Sequence, residues 1–72
     1  MQRFGEKLRT LRKRRGLTME ELALEMGLTA HGHISNVETG KKKPSLEFVL
    51  KVAGIFEVSL DQLLRDELEL DG

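Results

Sequence analysis

The sequence predicts an all-α fold of five short helices. Apolar residues recur three or four positions apart along most of the chain, which is the spacing that places side chains on one face of a helix. Glycines and Ser/Thr caps separate these stretches, and no run is rich in both β-branched and aromatic residues, as a strand would be. The 72 residues provide for one small domain.

The first two predicted helices occupy the basic start of the chain. Helix one covers roughly residues 2–14, and Gly16 follows its end. Helix two begins at a capping box, in which the Thr18 hydroxyl and the Glu21 carboxylate each satisfy a free backbone amide. Gly27 permits the turn that follows it. The inward residues are Phe4, Leu8 and Leu11 in helix one, and Leu22, Ala23 and Met26 in helix two.

Helices three and four follow in the middle of the chain. Helix three is expected from residue 30 or 31 to Glu38, and Gly40 ends it. Pro44 and Ser45 open helix four. The inward residues are Ile34 and Val37 in helix three, and Leu46, Val49, Leu50, Val52 and Ala53 in helix four.

Helix five and an acidic tail complete the chain. Ser59 and Gln62 form a second capping box at the start of helix five, whose apolar residues are Leu60, Leu63 and Leu64. After Arg65 the tail alternates leucines with acidic residues. Two further leucines, Leu68 and Leu70, either continue helix five, pair as a short strand or cover the end of the core.

The charge is polarised along the chain although its formal sum is zero. Residues 1–15 carry seven Lys/Arg and one Glu, and residues 36–46 carry three Lys and one Glu. Residues 16–35 carry only three Glu, while residues 47–72 carry seven Asp/Glu against two Lys/Arg. This asymmetry favours one face for an anionic partner, although solvated charges without a partner would give the same composition.

Composition excludes several classes of site. The absence of cysteine excludes disulfides and thiolate metal sites, and two histidines are too few for a closed zinc site. No residues suggest a catalytic nucleophile with its base or a phosphate-binding glycine loop, so we expect no enzyme activity, no metal and no cofactor. Without a signal-peptide or membrane-spanning segment, we expect a soluble cytoplasmic protein.

Five motifs occur in a fixed order over roughly residues 3–65. They are the start LT-x-E-E-L-A, the glycine turn, the ending I-S-x-V-E-x-G, the opening K-P-S-L and the close V-S-L-D-Q-L-L. In this order they resemble the lambda-repressor-like helix-turn-helix family, the XRE-like regulators of Cro and phage-repressor type. The resemblance implies a five-helix DNA-binding domain over residues 1–65, its helix-turn-helix at about 18–38, and an acidic tail over 66–72.

The resemblance also implies that Arg12 pairs with Glu38, rather than both standing as ordinary surface charges. Such a pair would hold helix three against helix one. Two features depart from the family pattern. Six residues separate Gly27 from Ile34, one more than usual, so the turn is longer or helix three begins later. Met19 stands where relatives often carry a glutamine that binds phosphate.

Because the spacing between Gly27 and Ile34 is one residue longer than usual, the leading edge of helix three can be assigned in two registers. Counting back from Ile34, the edge comprises His31, Gly32 and His33. Counting forward from Gly27, it comprises Thr29, Ala30 and His31. Histidines there would reach base edges or phosphates, and Asn36 would pair with adenine in the major groove. The other expected contacts, to phosphates or methyl groups, are Thr18, Ser35, Thr39, Lys41, Lys42 and Lys43. The plainer alternatives are exposed histidines without a ligand and a solvated lysine loop.

Helices four and five and the tail carry more apolar residues than one small core needs. Proteins of this build commonly bind pseudo-palindromic half-sites as dimers, so we expect a homodimer through helix five and the tail. The residues assigned to this interface are Ile55, Phe56, Val58, Leu60, Leu64, Leu68 and Leu70.

Two functions of different classes remain open. The first is a sequence-specific transcriptional regulator that binds double-stranded DNA, expected to be a dimeric repressor on a pseudo-palindromic operator. The alternative is a protein-interaction module, such as an antitoxin or regulatory subunit, whose acidic end binds a protein partner while DNA contact is secondary.

Overall fold

Five helices follow one another in the computed structural model, which describes residues 3–27 and 32–70. They are α1 (Phe4–Arg14), α2 (Met19–Glu25), α3 (Gly32–Glu38), α4 (Leu46–Phe56) and α5 (Leu60–Leu64). The predicted all-α architecture is confirmed. None of these helices combines the length and the apolar character needed to cross a bilayer, within the part of the chain that the structure describes.

Both predicted capping boxes are confirmed. The Thr18 hydroxyl accepts from the Glu21 amide at 3.0 Å, and the Thr18 amide donates to the Glu21 carboxylate at 2.8 Å. Ser59 and Gln62 repeat the arrangement at the start of α5, with distances of 3.1 Å and 3.2 Å. Each box satisfies amides that a helix start would leave unpaired, so the two helices begin where the sequence predicts.

A single core joins the helices. Phe4 of α1 and Phe48 of α4 meet edge to face with ring centroids 6.2 Å apart, so the first and fourth helices share the centre of the core. Phe48 was not among the predicted inward residues. The buried apolar side chains are Phe4, Leu8, Leu11, Leu22, Ala23, Met26, Ile34, Val37, Phe48, Val49, Val52, Phe56 and Leu63.

The inward face predicted for α4 is wrong in part. Leu46 and Leu50 are 68% and 50% exposed, although the sequence prediction placed both in the core. At about 100° per residue, the buried side chains of α4 define one face, and residues 46 and 50 fall away from it. These two leucines, one turn apart, therefore form an apolar surface on α4.

The predictions for the tail as a continued helix or a strand are also wrong. The α5 helix ends at Leu64, and the Leu68 amide donates to the Arg65 carbonyl oxygen at 3.1 Å in a turn. Residues 66–70 form neither a helix nor a strand. Leu70 packs against the core and Leu68 is half-buried, which agrees with the remaining alternative, a cover over the end of the core.

Arg3 holds this tail against the start of α1. Its guanidinium donates to the Asp66 carbonyl oxygen at 2.8 Å and to the Glu69 carboxylate at 2.7 Å, while its amide donates to the Asp66 carboxylate at 2.9 Å. The hydrogen bond from Arg3 lowers the pKa of Glu69. The ion pair between Arg3 and Glu69 therefore contributes its full stabilisation above the ordinary pKa of a glutamate, and this stabilisation is lost as the pH falls through the lowered pKa of Glu69.

Lys7 joins α1 to α5 from inside the protein. Its side chain is almost fully buried, and its ammonium donates to the carbonyl oxygens of Gln62 and Arg65. These are carbonyl groups at the end of α5, which a helix leaves without partners, so the lysine caps that helix. The first turns of α1 thus bind both α5 and the tail.

Candidate nucleic-acid interface

The α3 helix carries a polar face that points away from the core. Ile34 and Val37 are 0% and 2% exposed and fix the inward side of the helix. Ser35 and Asn36 are half-buried and Thr39, just after the helix, is exposed. The helical period places these three on the side opposite to the buried pair. Three of the predicted DNA contacts therefore share one surface.

The structure places Arg12 against Glu38 at the end of this helix. The guanidinium donates from Nε to one carboxylate oxygen at 2.7 Å and from a terminal nitrogen to the other at 3.3 Å. A third donor reaches the Leu17 carbonyl oxygen at 2.8 Å. The side chains of Arg12 and Glu38 are only 10% and 2% exposed. This two-point contact neutralises Glu38 and holds α3 on α1.

A cationic loop follows α3 directly. Gly40 adopts φ of 80°, a left-handed conformation that allows the chain to turn out of the helix. The Lys42 amide then donates to the Asn36 carbonyl oxygen at 3.1 Å, which holds the loop beside the helix. Lys41, Lys42 and Lys43 are exposed, and none of them pairs with a carboxylate in the described residues. Their charges are available to an anionic ligand.

His33 lies on a flank of α3 rather than on its polar face. Its ring is tilted against Phe48, with centroids 5.1 Å apart, and is half-buried. The same ring lines a cleft of about 130 Å³ with Met26, Ser45 and Lys51. The contact with Phe48 holds the ring beside α4 and leaves it partly exposed, so a contact of His33 with a base edge or a phosphate stays a prediction.

Two predicted hydroxyl contacts already have internal partners. The Thr39 hydroxyl donates to the Ser35 carbonyl oxygen at 2.8 Å, and the Thr18 hydroxyl accepts from the Glu21 amide in the capping box of α2. Both side chains are exposed. The methyl group of Thr39 remains open for contact with a ligand.

The remaining predicted contacts at the leading edge are outside the described residues. They are Thr29, Ala30 and His31. The first described residue after this gap is Gly32, which begins α3. The choice between the two registers stays a prediction.

The predicted dimer residues divide into a core group and a surface group. The assignment of Phe56 to a dimer surface is corrected, because its side chain belongs to the core and is only 9% exposed. The Arg15 guanidinium lies 5.5 Å from its ring centroid. Of the others, Leu60 is the most open at 37% exposure. The half-buried members are Ile55, Val58, Leu64, Leu68 and Leu70.

Sequence reasoning missed two residues that fix α3 and α2. A Cβ atom added at Gly5 would lie 2.4 Å from the Val37 carbonyl oxygen, so α1 and α3 approach closely there. Lys51 donates to the Met26 carbonyl oxygen at 3.3 Å and thereby caps the end of α2. The available signal was a glycine inside an amphipathic helix, which usually has a packing reason.

Comparison with known proteins identifies this arrangement. The profile of the helix-turn-helix family matches residues 8–63, which include all of α2, α3 and α4. The chain belongs to the helix-turn-helix family. The solved N-terminal DNA binding domain of SinR from Bacillus subtilis matches this helix-turn-helix chain with a TM-score of 0.82 and 30% identity. The match covers 96% of this chain and 100% of that domain.

Curated relatives of this helix-turn-helix chain include regulators with opposite effects. The transcriptional regulator SinR of Bacillus licheniformis is 35% identical over 96% of this chain and 64% of its own length. The transcriptional activator BcrR of Enterococcus faecalis is 38% identical over 89% of the chain and 31% of its own length. The transcriptional repressor RghR of Bacillus subtilis is 38% identical over 89% and 47%. The chain thus spans less than two thirds of the length of these relatives.

Proposed function

We propose that this protein is a transcriptional regulator that binds double-stranded DNA in a sequence-specific manner through α3. The observation that supports this most is the polar face of α3 beside a cationic loop. Ser35, Asn36 and Thr39 share that face, and the exposed lysines follow within four residues of it. A helix fits the major groove, where side chains reach base edges while neighbouring cations bind phosphates.

The charges near α3 support the same proposal. A glutamate at the end of a DNA-reading helix would repel phosphates if it were free. Arg12 removes this obstacle by binding both carboxylate oxygens of Glu38. Within residues 3–27 and 32–70 no carboxylate pairs with the lysines of the loop, and their positive charge favours an anionic partner.

Replacement of Asn36 tests directly whether α3 distinguishes one DNA sequence from another. We expect Asn36→Ala to weaken binding to a duplex that the wild-type protein selects from a random pool by about 1–3 kcal/mol, because a bidentate contact to a base contributes that much discrimination. Binding to random-sequence duplex should change little, because it depends on phosphate contacts. Fluorescence anisotropy with both duplexes gives the two dissociation constants.

A matched control for this test is Thr10→Ala. This change removes a polar side chain from α1, whose hydroxyl donates only to the Glu6 carbonyl oxygen among its described contacts. It should alter neither dissociation constant. Equal losses on both duplexes for Asn36→Ala would remove that residue from base reading.

We also propose that the protein acts as a homodimer on a pseudo-palindromic operator. Support comes from apolar side chains that the core of one chain leaves exposed. They are Leu60 in α5 and Leu46 and Leu50 in α4. Two copies would place two reading helices about one turn of DNA apart. Burial of these side chains in the dimer would contribute favourable free energy.

Sedimentation equilibrium tests the dimer. The wild-type protein should approach the dimer mass as its concentration rises, whereas Leu60→Lys should remain monomeric because a charge would be buried in the interface. Circular dichroism should show equal helix content in both proteins, since residue 60 is 37% exposed in the single chain. A monomer mass at every concentration of wild-type protein would refute the dimer.

Repression is the effect we propose for binding. A protein bound across a promoter excludes polymerase without any surface beyond the DNA-binding face. Reporter transcription from a promoter that overlaps the selected duplex should fall when the protein is expressed. An increase would assign activation instead.

The alternative function, a protein-interaction module such as an antitoxin or regulatory subunit that binds a protein partner, has less support. It relies on a free acidic tail, yet Asp66 and Glu69 accept hydrogen bonds from Arg3 of the same chain. Deletion of residues 66–72 that removes a co-purifying protein but retains DNA binding would favour this alternative.

A further inference from the structure

The closest approach between α1 and α3 is at Gly5. A Cβ atom at this position would lie 2.4 Å from the Val37 carbonyl oxygen and 2.7 Å from that of Glu38. Both are backbone atoms, so no side-chain rotation can relieve the overlap. Ordinary van der Waals contact begins near 3.4 Å, so the two helices would have to separate by about 1 Å.

The first turn of α1 is poorly placed to move. On one side Phe4 and Leu8 are 1% and 0% exposed in the core. Arg3 binds the backbone and carboxylate of Asp66, and the buried Lys7 ammonium binds two carbonyl oxygens at the end of α5. A displacement of α1 would disturb all of these contacts together.

The carboxyl end of α3 is held by the buried Val37 and by the Arg12–Glu38 pair, and beyond it Thr39, Gly40 and the lysine loop are exposed. The first turn of α1, in contrast, is fixed to the core, to α5 and to the tail at once. A side chain at residue 5 should therefore shift the end of α3 rather than α1. The shift would carry Asn36 and the loop with it, because the Lys42 amide is bound to the Asn36 carbonyl oxygen.

We propose that Gly5 is a positioning residue for DNA binding. Because it has no side chain, the end of α3 can lie close to α1, and this separation sets the orientation of the polar face of α3. This inference rests on the proposed DNA-binding function. Hydrogen bonds to base edges require donor and acceptor within a few tenths of an ångström of their best separation, so a 1 Å shift would break them. Lysine contacts with phosphates are less directional and tolerate such a shift.

Gly5→Ala tests the inference at a temperature where circular dichroism shows the variant to be folded. We expect its affinity for the selected duplex to fall at least about tenfold, while its affinity for random-sequence duplex stays within about twofold of wild type. Affinity for the selected duplex within twofold of wild type would overturn the proposal.

Two control variants separate positioning from loss of stability. Gly54→Ala adds a Cβ within α4 where nothing lies within 4 Å, so it should raise helix stability and leave both affinities unchanged. Leu63→Ala removes buried volume from α5 and should lower the melting temperature without a selective loss of affinity for the selected duplex. An equal selective loss in Leu63→Ala would overturn the proposal, since it would make instability the cause.

A measurement without DNA distinguishes this inference from the proposed function. In ¹H–¹⁵N spectra, Gly5→Ala should shift the amide signals of residues 34–40 and the Nε–H signal of Arg12, whose carboxylate partner is at the displaced end of α3. Unchanged signals there would overturn the positioning role. If the wild-type protein selects no duplex, the proposed function fails while these spectra still test the contact.

A variant that cannot fold is also informative. If Gly5→Ala unfolds alone, it should be combined with the stabilising Gly54→Ala. Failure to fold in that background would overturn the proposal, because Gly5 would then be a requirement of the fold rather than of the position of α3.

Discussion

Glu38→Ala is expected to destabilise the protein by about 3–5 kcal/mol, because it leaves the Arg12 guanidinium largely buried without its carboxylate. The side chains of Arg12 and Glu38 are 10% and 2% exposed, so water cannot replace the lost partner well. Small domains are stable by only about 5–15 kcal/mol, so most of the native stability is at risk. Urea unfolding followed by circular dichroism measures the loss.

Two comparisons show whether the loss comes from the buried charge. Glu25→Ala removes an exposed glutamate from α2 and should change the unfolding free energy by less than about 0.5 kcal/mol. The double variant Arg12→Met with Glu38→Leu should recover much of the stability, because it replaces the ion pair by apolar side chains. A loss below about 1 kcal/mol in Glu38→Ala would contradict a buried pair.

Replacing Lys41, Lys42 and Lys43 together by alanine is expected to weaken DNA binding about 100-fold near 0.15 M salt. Each phosphate contact contributes about 0.9 to the slope of log affinity against log salt, so three lost contacts shallow the slope by about 2.7. The loss should be similar for the selected and the random-sequence duplex, since lysines bind the backbone. Anisotropy titrations between about 50 and 300 mM salt provide the slope.

Arginine at the same three positions is the matched control. It keeps the charge, so the salt slope should remain close to that of wild type. All three lysines are exposed, so stability should be unchanged in both triple variants. An unaltered slope in the alanine variant would place the phosphate contacts elsewhere.

Features encoded within a few residues were predictable from sequence. The two capping boxes and the glycine turns at Gly27 and Gly40 depend on local backbone chemistry, and the structure has all four. The inward face of α4 was not predicted fully, because apolar residues occupy most of that helix. Only packing distinguishes Phe48, which is buried, from Leu46, which is 68% exposed.

The details of the candidate interface could not be predicted from local sequence, because they depend on contacts between residues far apart in the chain. The family resemblance supplied Arg12 and Glu38, which are 26 positions apart, and no local pattern would pair them. Gly5 could not be understood without knowing that the carbonyl groups of Val37 and Glu38 lie against it. The contact of His33 with Phe48 was not predicted, because the two residues are 15 positions apart and on different helices.

The buried lysine of α1 has a consequence for the order in which the nascent chain acquires its structure. The acceptors of Lys7 lie 55 and 58 positions later in the sequence, and its ammonium has no described protein partner before they are made. At typical synthesis rates of about 5–20 residues per second, these acceptors are translated about 3 to 12 seconds after the lysine. The α1 helix therefore emerges from the ribosome with its Lys7 ammonium hydrated by water, and that charge can be buried only after α5 has been synthesised.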